Sequence, residues 1–499
     1  MQKHKVLEIF KTFTESDVTN FRLFLNSPYF NKSKKQLKLY DLLIKYYPEF
    51  PSPNINKEKL MKKISPDLPF NNSTALNLFS DLYESALRFL FQTSIELNEL
   101  KKQDVLREEL FRRKLGKMIE SSLNKSNFLL NSRKDLDSEY FINKYWILND
   151  TMNHLALFLP RSKKSIGSQL KLLSARGMNL SFYYIKEMIQ GFFNVLSLEM
   201  AYNVDADKNF YKQLFKRLNF EELIRQSIAE SDNKEVARLF KIYLSMYLTF
   251  ERVDEEKYYF YYKKQLTENV SHLSIDEIRF HTISLIRYCK LKTSSAEGVL
   301  KFDKELFELY KYIVKNEYYR TSVSEFFPFE LFRLILLLSL KLKKYKWAFD
   351  FIKNNNRKLQ ADKRDNMYNF SLAEYYFHTG KYEDTLKCIH KIKLDYFMLK
   401  VDLKKLMLKT YYELGLFENA LSLIDSYKHF LSSDKTLSAM KKKGERSFVN
   451  FINCIIRFRI SKKTEYRLKL INESHKELHS DEWVKEKIIE LDSNIRKSA

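Results

Sequence analysis

Eight glycines and eight prolines are all that 499 residues contain, and no other feature narrows the fold as far. At average usage a chain of this length carries about 35 glycines and 25 prolines, and sheet-rich folds need them for tight turns. So few breakers imply helices joined by short polar connections, and the expected class is all-α. Length alone suggests about three domains, but a repeat array escapes that estimate because each unit packs only on its neighbours.

The longest apolar stretch is Leu334 to Leu340, closed by Arg333 and Lys341, far short of the ~18 apolar residues a membrane span requires. The opening residues Met1 to Glu8 place an acid where a signal peptide needs its apolar segment. The expected location is therefore the cytoplasm. Cys289, Cys388 and Cys454 are odd in number and far apart, which fits neither a disulfide framework nor paired metal ligands. They are expected to be buried as small apolar residues.

Lys and Arg number 87 against 63 Asp and Glu, a formal charge of +24. Clustered cations gain affinity for polyanions by releasing counterions around phosphates. Yet 64 of the 87 are lysines in a chain also rich in Asn, Ile, Tyr and Phe, a pattern that a genome poor in G and C produces without selection for binding. Net charge speaks to solubility and nonspecific attraction, not to fold.

Six of the eight prolines fall within the first 69 residues, and no glycine precedes Gly116. Residues 1–99 thus read as a small N-terminal domain of short helices with proline turns. Lys5 to Phe13 forms one helix, and Thr14-Glu15-Ser16-Asp17 opens a second in the manner of a capping box. That helix stops at Ser27-Pro28, a third runs from Ser33 to about Tyr47, and further helices cover Lys57 to Ile64 and Ser73 to about Leu97. Residues 100–165 read as a helical connector, ending at the basic loop Pro160 to Ser165.

The strongest organisation lies further on. Leu372, Ala373, Tyr376, Gly380, Tyr382, Thr385, Ile389 and Ile392 are matched 35 residues later by Met407, Leu408, Tyr411, Gly415, Phe417, Ala420, Ile424 and Tyr427. This resembles the tetratricopeptide repeat, whose period is about 34 residues. A glycine ends the first helix of each pair and an aromatic packs under the turn. Tyr345, Ala348 and Ile352 are the second half of a degenerate third copy. The expected architecture is a tetratricopeptide-like α-solenoid of antiparallel helix pairs over residues 166–440, with capping helices over 441–499.

The block Met367 to Phe458 and the opening segment Ser27-Pro28-Tyr29-Phe30-Asn31 together resemble an uncharacterised bacterial family of about 500 residues. The resemblance covers the N-terminal unit and the C-terminal third, and the middle only by length and helical texture. It implies a helical repeat architecture and no activity.

Enzyme signatures are mostly excluded by glycine scarcity: the two closest glycines, Gly167 and Gly177, are ten apart, so no dinucleotide fingerprint, phosphate loop or nucleophile elbow exists. His475 and His479 share a helical face, but Glu477 stands at the wrong position for a metalloprotease and no third ligand is evident. No metal, cofactor or catalytic residue is expected. Tyr258 to Tyr262 could stack single-stranded bases, but five consecutive aromatics cover every side of a helix, so some must be core.

The segment Lys57 to Leu90 has the outline of a helix-turn-helix, although its second helix lacks Arg and Lys until Arg88 and no wing follows. In Ser27 to Asn31, the simpler reading has Pro28 ending a helix, Tyr29 and Phe30 filling the core and Asn31 or Ser33 capping the next helix. The alternative has the loop touching a ligand. Further basic clusters are Lys32, Lys34, Lys35 and Lys38; Arg112, Arg113, Lys114 and Lys117; Lys341, Lys343, Lys344 and Lys346. The candidate partner-binding residues are Tyr29, Asn31, Arg161, Lys163, Lys164, Lys441, Lys442, Lys443 and Arg446.

Together these features suggest a non-catalytic scaffold or adaptor whose concave solenoid face binds a protein, the basic surplus pointing to an acidic partner segment or a phosphate backbone. The alternative is a nucleic-acid-associated regulator, with a helix-turn-helix-like N-terminal unit and partner-sensing repeats.

Overall fold

A computed structural model describes residues 4–51, 55–133, 135–159, 162–201, 204–293, 299–320, 325–393, 397–434, 437, 439–461, 465, 483–484, 486–487 and 489–490. Among these residues the secondary structure is helical and no strand occurs, as the scarcity of glycine and proline implies. Two compact units emerge, one formed by residues 1–133 and 146–173, the other by 134–145 and 174–499.

The first unit opens with α1 (Lys5–Phe10), α2 (Glu15–Asn26), α3 (Lys34–Leu43), α4 (Lys57–Ile64) and α5 (Asn72–Leu97). These enclose an aromatic core in which Phe10, Phe21, Tyr40 and Phe89 are buried and meet mainly at tilted or edge-on angles, the arrangement ring quadrupoles favour. Helix α2 begins as its sequence suggests. The Thr14 hydroxyl accepts the Asp17 backbone N–H, and the Asp17 carboxylate accepts that of Thr14. The pair α6 (Glu99–Arg112) and α7 (Gly116–Asn131) follows, and α8 (Ser138–Phe158) and α9 (Lys163–Ala201) run through both units.

The second unit continues with α10 (Phe210–Arg217), α11 (Phe220–Ala229), α12 (Lys234–Glu251), α13 (Glu256–Asn269), α14 (Ile275–Thr293) and α15 (Val299–Lys315). Then come α16 (Phe329–Lys341), α17 (Tyr345–Asn355), α18 (Ala361–His378), α19 (Tyr382–Ile389), α20 (Phe397–Glu413), α21 (Phe417–Ser433) and α22 (Ala439–Ser461). Successive helices pair as α12 with α13, α14 with α15, α16 with α17, α18 with α19 and α20 with α21. The first helices of these pairs also touch one another, α12 against α14 and α16 against α18 against α20. They form one layer of the stack.

Asparagine, abundant in the sequence, has a local use. Asn56, Asn71, Asn98, Asn209, Asn219 and Asn233 each cap a helix by accepting first-turn N–H groups on the side-chain oxygen.

The turn that glycine marks in the two clear repeats is used more widely than glycine shows. Gly380 and Gly415 have φ of 76° and 71°, and Lys114, Glu317 and Lys343 adopt the same left-handed conformation at 57°, 53° and 56°. In all five turns the following N–H donates to the carbonyl five residues back. The bonds are Leu115 to Leu110, Tyr318 to Ile313, Lys344 to Ser339, Lys381 to Tyr376 and Leu416 to Tyr411, at 2.8–3.1 Å, which closes the helix end. A side chain in this conformation costs about 1–2 kcal/mol. Replacing Lys343 by Gly is therefore expected to stabilise the second unit by about 0.5–1 kcal/mol, the remainder being lost to the freer unfolded chain. Gly380→Ala, whose added Cβ meets no atom within 4 Å, is expected to cost about 1 kcal/mol from the backbone alone. Urea midpoints at unchanged slope measure both, and a destabilised Lys343→Gly would refute this account.

Candidate binding surfaces

The loop between α2 and α3 corrects the simpler sequence reading of Tyr29. Helix α2 ends at Ser27 in an extended conformation, and the chain turns through Pro28. Phe30 stacks on buried Phe24 with ring centroids 4.4 Å apart. Asn31 staples the loop, its amide donating to the carbonyls of Leu25 (2.8 Å) and Ser33 (3.0 Å) while its oxygen accepts the Ser33 N–H (2.8 Å). Tyr29 is not core: it is 86% exposed. With Phe30 and Asn31 anchored inward, the ring that precedes them is left facing outward. Ser33 makes no side-chain cap bond to α3, so the expected capping role falls away there too.

The other candidates separate. Arg161 and the side chains of Lys164 and Lys441 lie outside the described residues, as do His475 and His479. Lys163 is exposed in the first turn of α9, which begins inside the expected basic loop. Lys442 turns inward and donates to the Asp434 carbonyl, whereas Lys443 and Arg446 are exposed on α22. Of the other basic clusters, Arg112 and Arg113 both pair with Glu109, and Lys341 pairs with Asp303 at 2.6 Å. Of the five consecutive aromatics, Tyr259 and Tyr262 are buried while Phe260 and Tyr261 are exposed, the division that helical geometry imposes.

Sequence reasoning missed the buried charges. In the second unit Lys186 of α9 and Glu277 of α14, 1% and 5% exposed, pair at 2.5 Å. Lys186 also donates to the Leu136 carbonyl at 2.8 Å, and the Tyr243 hydroxyl donates to the other Glu277 oxygen at 2.9 Å. Burial pushes the Glu277 carboxyl up, but the Lys186 ammonium and His281 outweigh it and hold the group at about 2. Beyond His281, whose Nδ1 lies 2.7 Å from the Tyr262 hydroxyl, the same first helices carry Arg287, Lys290 and Arg333. Burial, with Arg287 and Arg333 beside it, lowers the Lys290 pKa. Arg333 of α16 reaches across to Asp402 of α20 and grips both carboxylate oxygens. The one sequence signal was a cation interrupting an apolar run, as Lys186 does after Ile185 and Arg333 does before Leu334.

A cavity of about 300 Å³ opens at the turn edge of the α16/α17 and α18/α19 pairs. Phe377, Tyr382 and Trp483 supply apolar walls, and Lys341, Lys343 and Lys409 supply cations. Trp483 is fixed by donating its indole N–H to Glu413 at 2.6 Å. Among the described residues Lys343 pairs with one distant carboxylate, Glu486 at 3.7 Å, and both side chains are more than half exposed.

Among the described residues no group of His, Cys, Asp or Glu is placed to hold a metal, and no helix is long and apolar enough to cross a membrane. Cys289 is buried, and burial pushes its thiol up to about 12, which suppresses the reactive thiolate. No protein-family model matches the chain, and no curated protein matches it.

Proposed function

We propose that the second unit is a non-catalytic scaffold or adaptor, offering the concave face of its inner helix layer to a protein partner. The turn-edge cavity serves as a neighbouring anchor. The observation that supports this reading is the stack itself. Each helix pair is buried by its neighbours, so an extended surface exists before any partner arrives and binding need not order the receptor. Lys343 favours a partner with an acidic segment, because its exposed pairing with Glu486 is weak and easily exchanged.

Isolation of the tagged protein from its host at low salt, with and without nuclease, tests the reading. A stoichiometric protein partner that survives nuclease is expected. Its recovery should fall about tenfold or more for Lys343→Glu combined with Lys409→Glu, since like charge at the contact repels an acidic segment. Loss of all protein partners on nuclease treatment would overturn the reading.

A further inference from the structure

The N-terminal unit carries a second surface, independent of the docking proposed above. Tyr29 is displayed by a loop that is held directly after it, through Phe30 stacked on Phe24 and through the three hydrogen bonds of Asn31. Its ring meets only Phe30, edge-on at 5.1 Å, among the described residues. Leaving so large a ring in water forfeits the gain of burying it, while the anchored loop spares a ligand the entropy of ordering it.

The segment that carries this ring is basic. Residues 27–40 contain four lysines and no acid. Lys32, Lys34, Lys35 and Lys38 are all exposed, and none pairs with a carboxylate among the described residues. The next acid along α3, Asp41, is already taken by Arg22, whose guanidinium donates to both carboxylate oxygens at 2.8 and 3.2 Å. The remaining exposed lysines of α4, Lys59, Lys62 and Lys63, extend the same basic character, so that residues 28–64 hold nine lysines against three acids.

We propose that the Tyr29 loop and the start of α3 form a platform for single-stranded nucleic acid, on which Tyr29 stacks a base and Lys32, Lys34, Lys35 and Lys38 neutralise phosphates. A single strand offers both things this surface can engage, an accessible aromatic face for the Tyr29 ring and negative charge repeated along its length for the lysines, and stacking tolerates any base. A duplex hides its base faces, and an acidic peptide supplies charge without an obligatory ring. The contact reads no sequence, because lysines bind phosphate as point charges.

Fluorescence anisotropy of the full chain with fluorescein-labelled oligo(dT) and oligo(U), and with a duplex of equal length, tests this across a range of salt. Single strands are expected to bind about tenfold or more tighter than duplex. The logarithm of the binding constant should fall against that of salt with a slope of about −3, the value four phosphate contacts on a single strand give. Reversing Lys32, Lys34, Lys35 and Lys38 to Glu should abolish binding. Tyr29→Ala should weaken it about tenfold and leave the slope unchanged. A control reversing Lys344, Lys346, Lys391 and Lys428, which are exposed in the second unit, has the same net charge and should bind nearly as the parent does. Equal losses in the control, equal affinity for duplex, or binding of poly-glutamate with none of the single strands would each overturn the proposal. All these side chains are exposed, and unchanged circular dichroism confirms that the variants fold.

Discussion

Glu277→Gln is expected to destabilise the second unit by about 3–5 kcal/mol at neutral pH, because it leaves the Lys186 ammonium buried without its counter-charge. The carboxylate receives Lys186 on one oxygen and the Tyr243 hydroxyl on the other, so one substitution disturbs helices α9, α12 and α14 together. The pH dependence gives an independent check. The folded pKa of about 2 lies below the usual 4.5, so the group's stabilisation is fully present above about pH 5. It is lost as pH falls toward 2, and a shift of that size corresponds to about 3 kcal/mol. Acid titration of parent and Glu277→Gln should therefore show the stability gap closing below pH 5. A gap independent of pH would mean that packing, not charge, sets the cost. Replacing both partners with apolar residues, Lys186→Met with Glu277→Leu, is expected to recover most of the loss, since a well-packed apolar pair escapes the desolvation penalty.

Arg107→Met should have a comparable effect confined to the first unit. The Arg107 side chain is 2% exposed and spans three helices, donating to Asp150 of α8 at 2.8 Å, Ser126 of α7 at 2.9 Å and Asp104 of its own helix at 2.9 Å. Methionine fills much of the volume but leaves the carboxylates and hydroxyl without their donor. Asp104 is half exposed and Asp150 partly so, which reduces the penalty to about 2–3 kcal/mol. Trp146 lies in the first unit, whereas Trp347 and Trp483 lie in the second. Variants keeping a single tryptophan can therefore separate the two transitions. Arg107→Met should lower the urea midpoint reported by Trp146 and leave that reported by Trp347 in place. Equal shifts in both would show that the units unfold as one.

The contrast between these buried charges and the turns explains what could be read in advance. The turns at Gly380 and Gly415 were legible because glycine at the end of an amphipathic period has a local cause, its freedom at positive φ. The same turns at Lys114, Glu317 and Lys343 were not, since a lysine or glutamate there is indistinguishable from any surface charge. The capping box at Thr14 is likewise local, and the structure reproduces it. Lys186 and Glu277 are 91 residues apart, and no short-range pattern announces that two such side chains will meet.

The N-terminal segment divides along the same line. Its sequence determined that a helix ends at Ser27-Pro28 and that lysines without acids follow. More broadly, the scarcity of glycine and proline with helical periodicity determined an all-helical chain, and the 35-residue match determined paired helices in its last third. These are properties of neighbouring residues, within a turn or two of helix or one repeat. Only the tertiary structure decided that Phe30 goes inward and Tyr29 outward, because that depends on Phe24 offering a ring and Leu25 offering a carbonyl. It also decided which cations are spent on internal partners, as Lys186, Arg107, Arg333 and Lys442 are, and which remain in solvent. Burial and charge pairing are set by what the folded chain brings alongside a residue, and sequence neighbours carry no record of that.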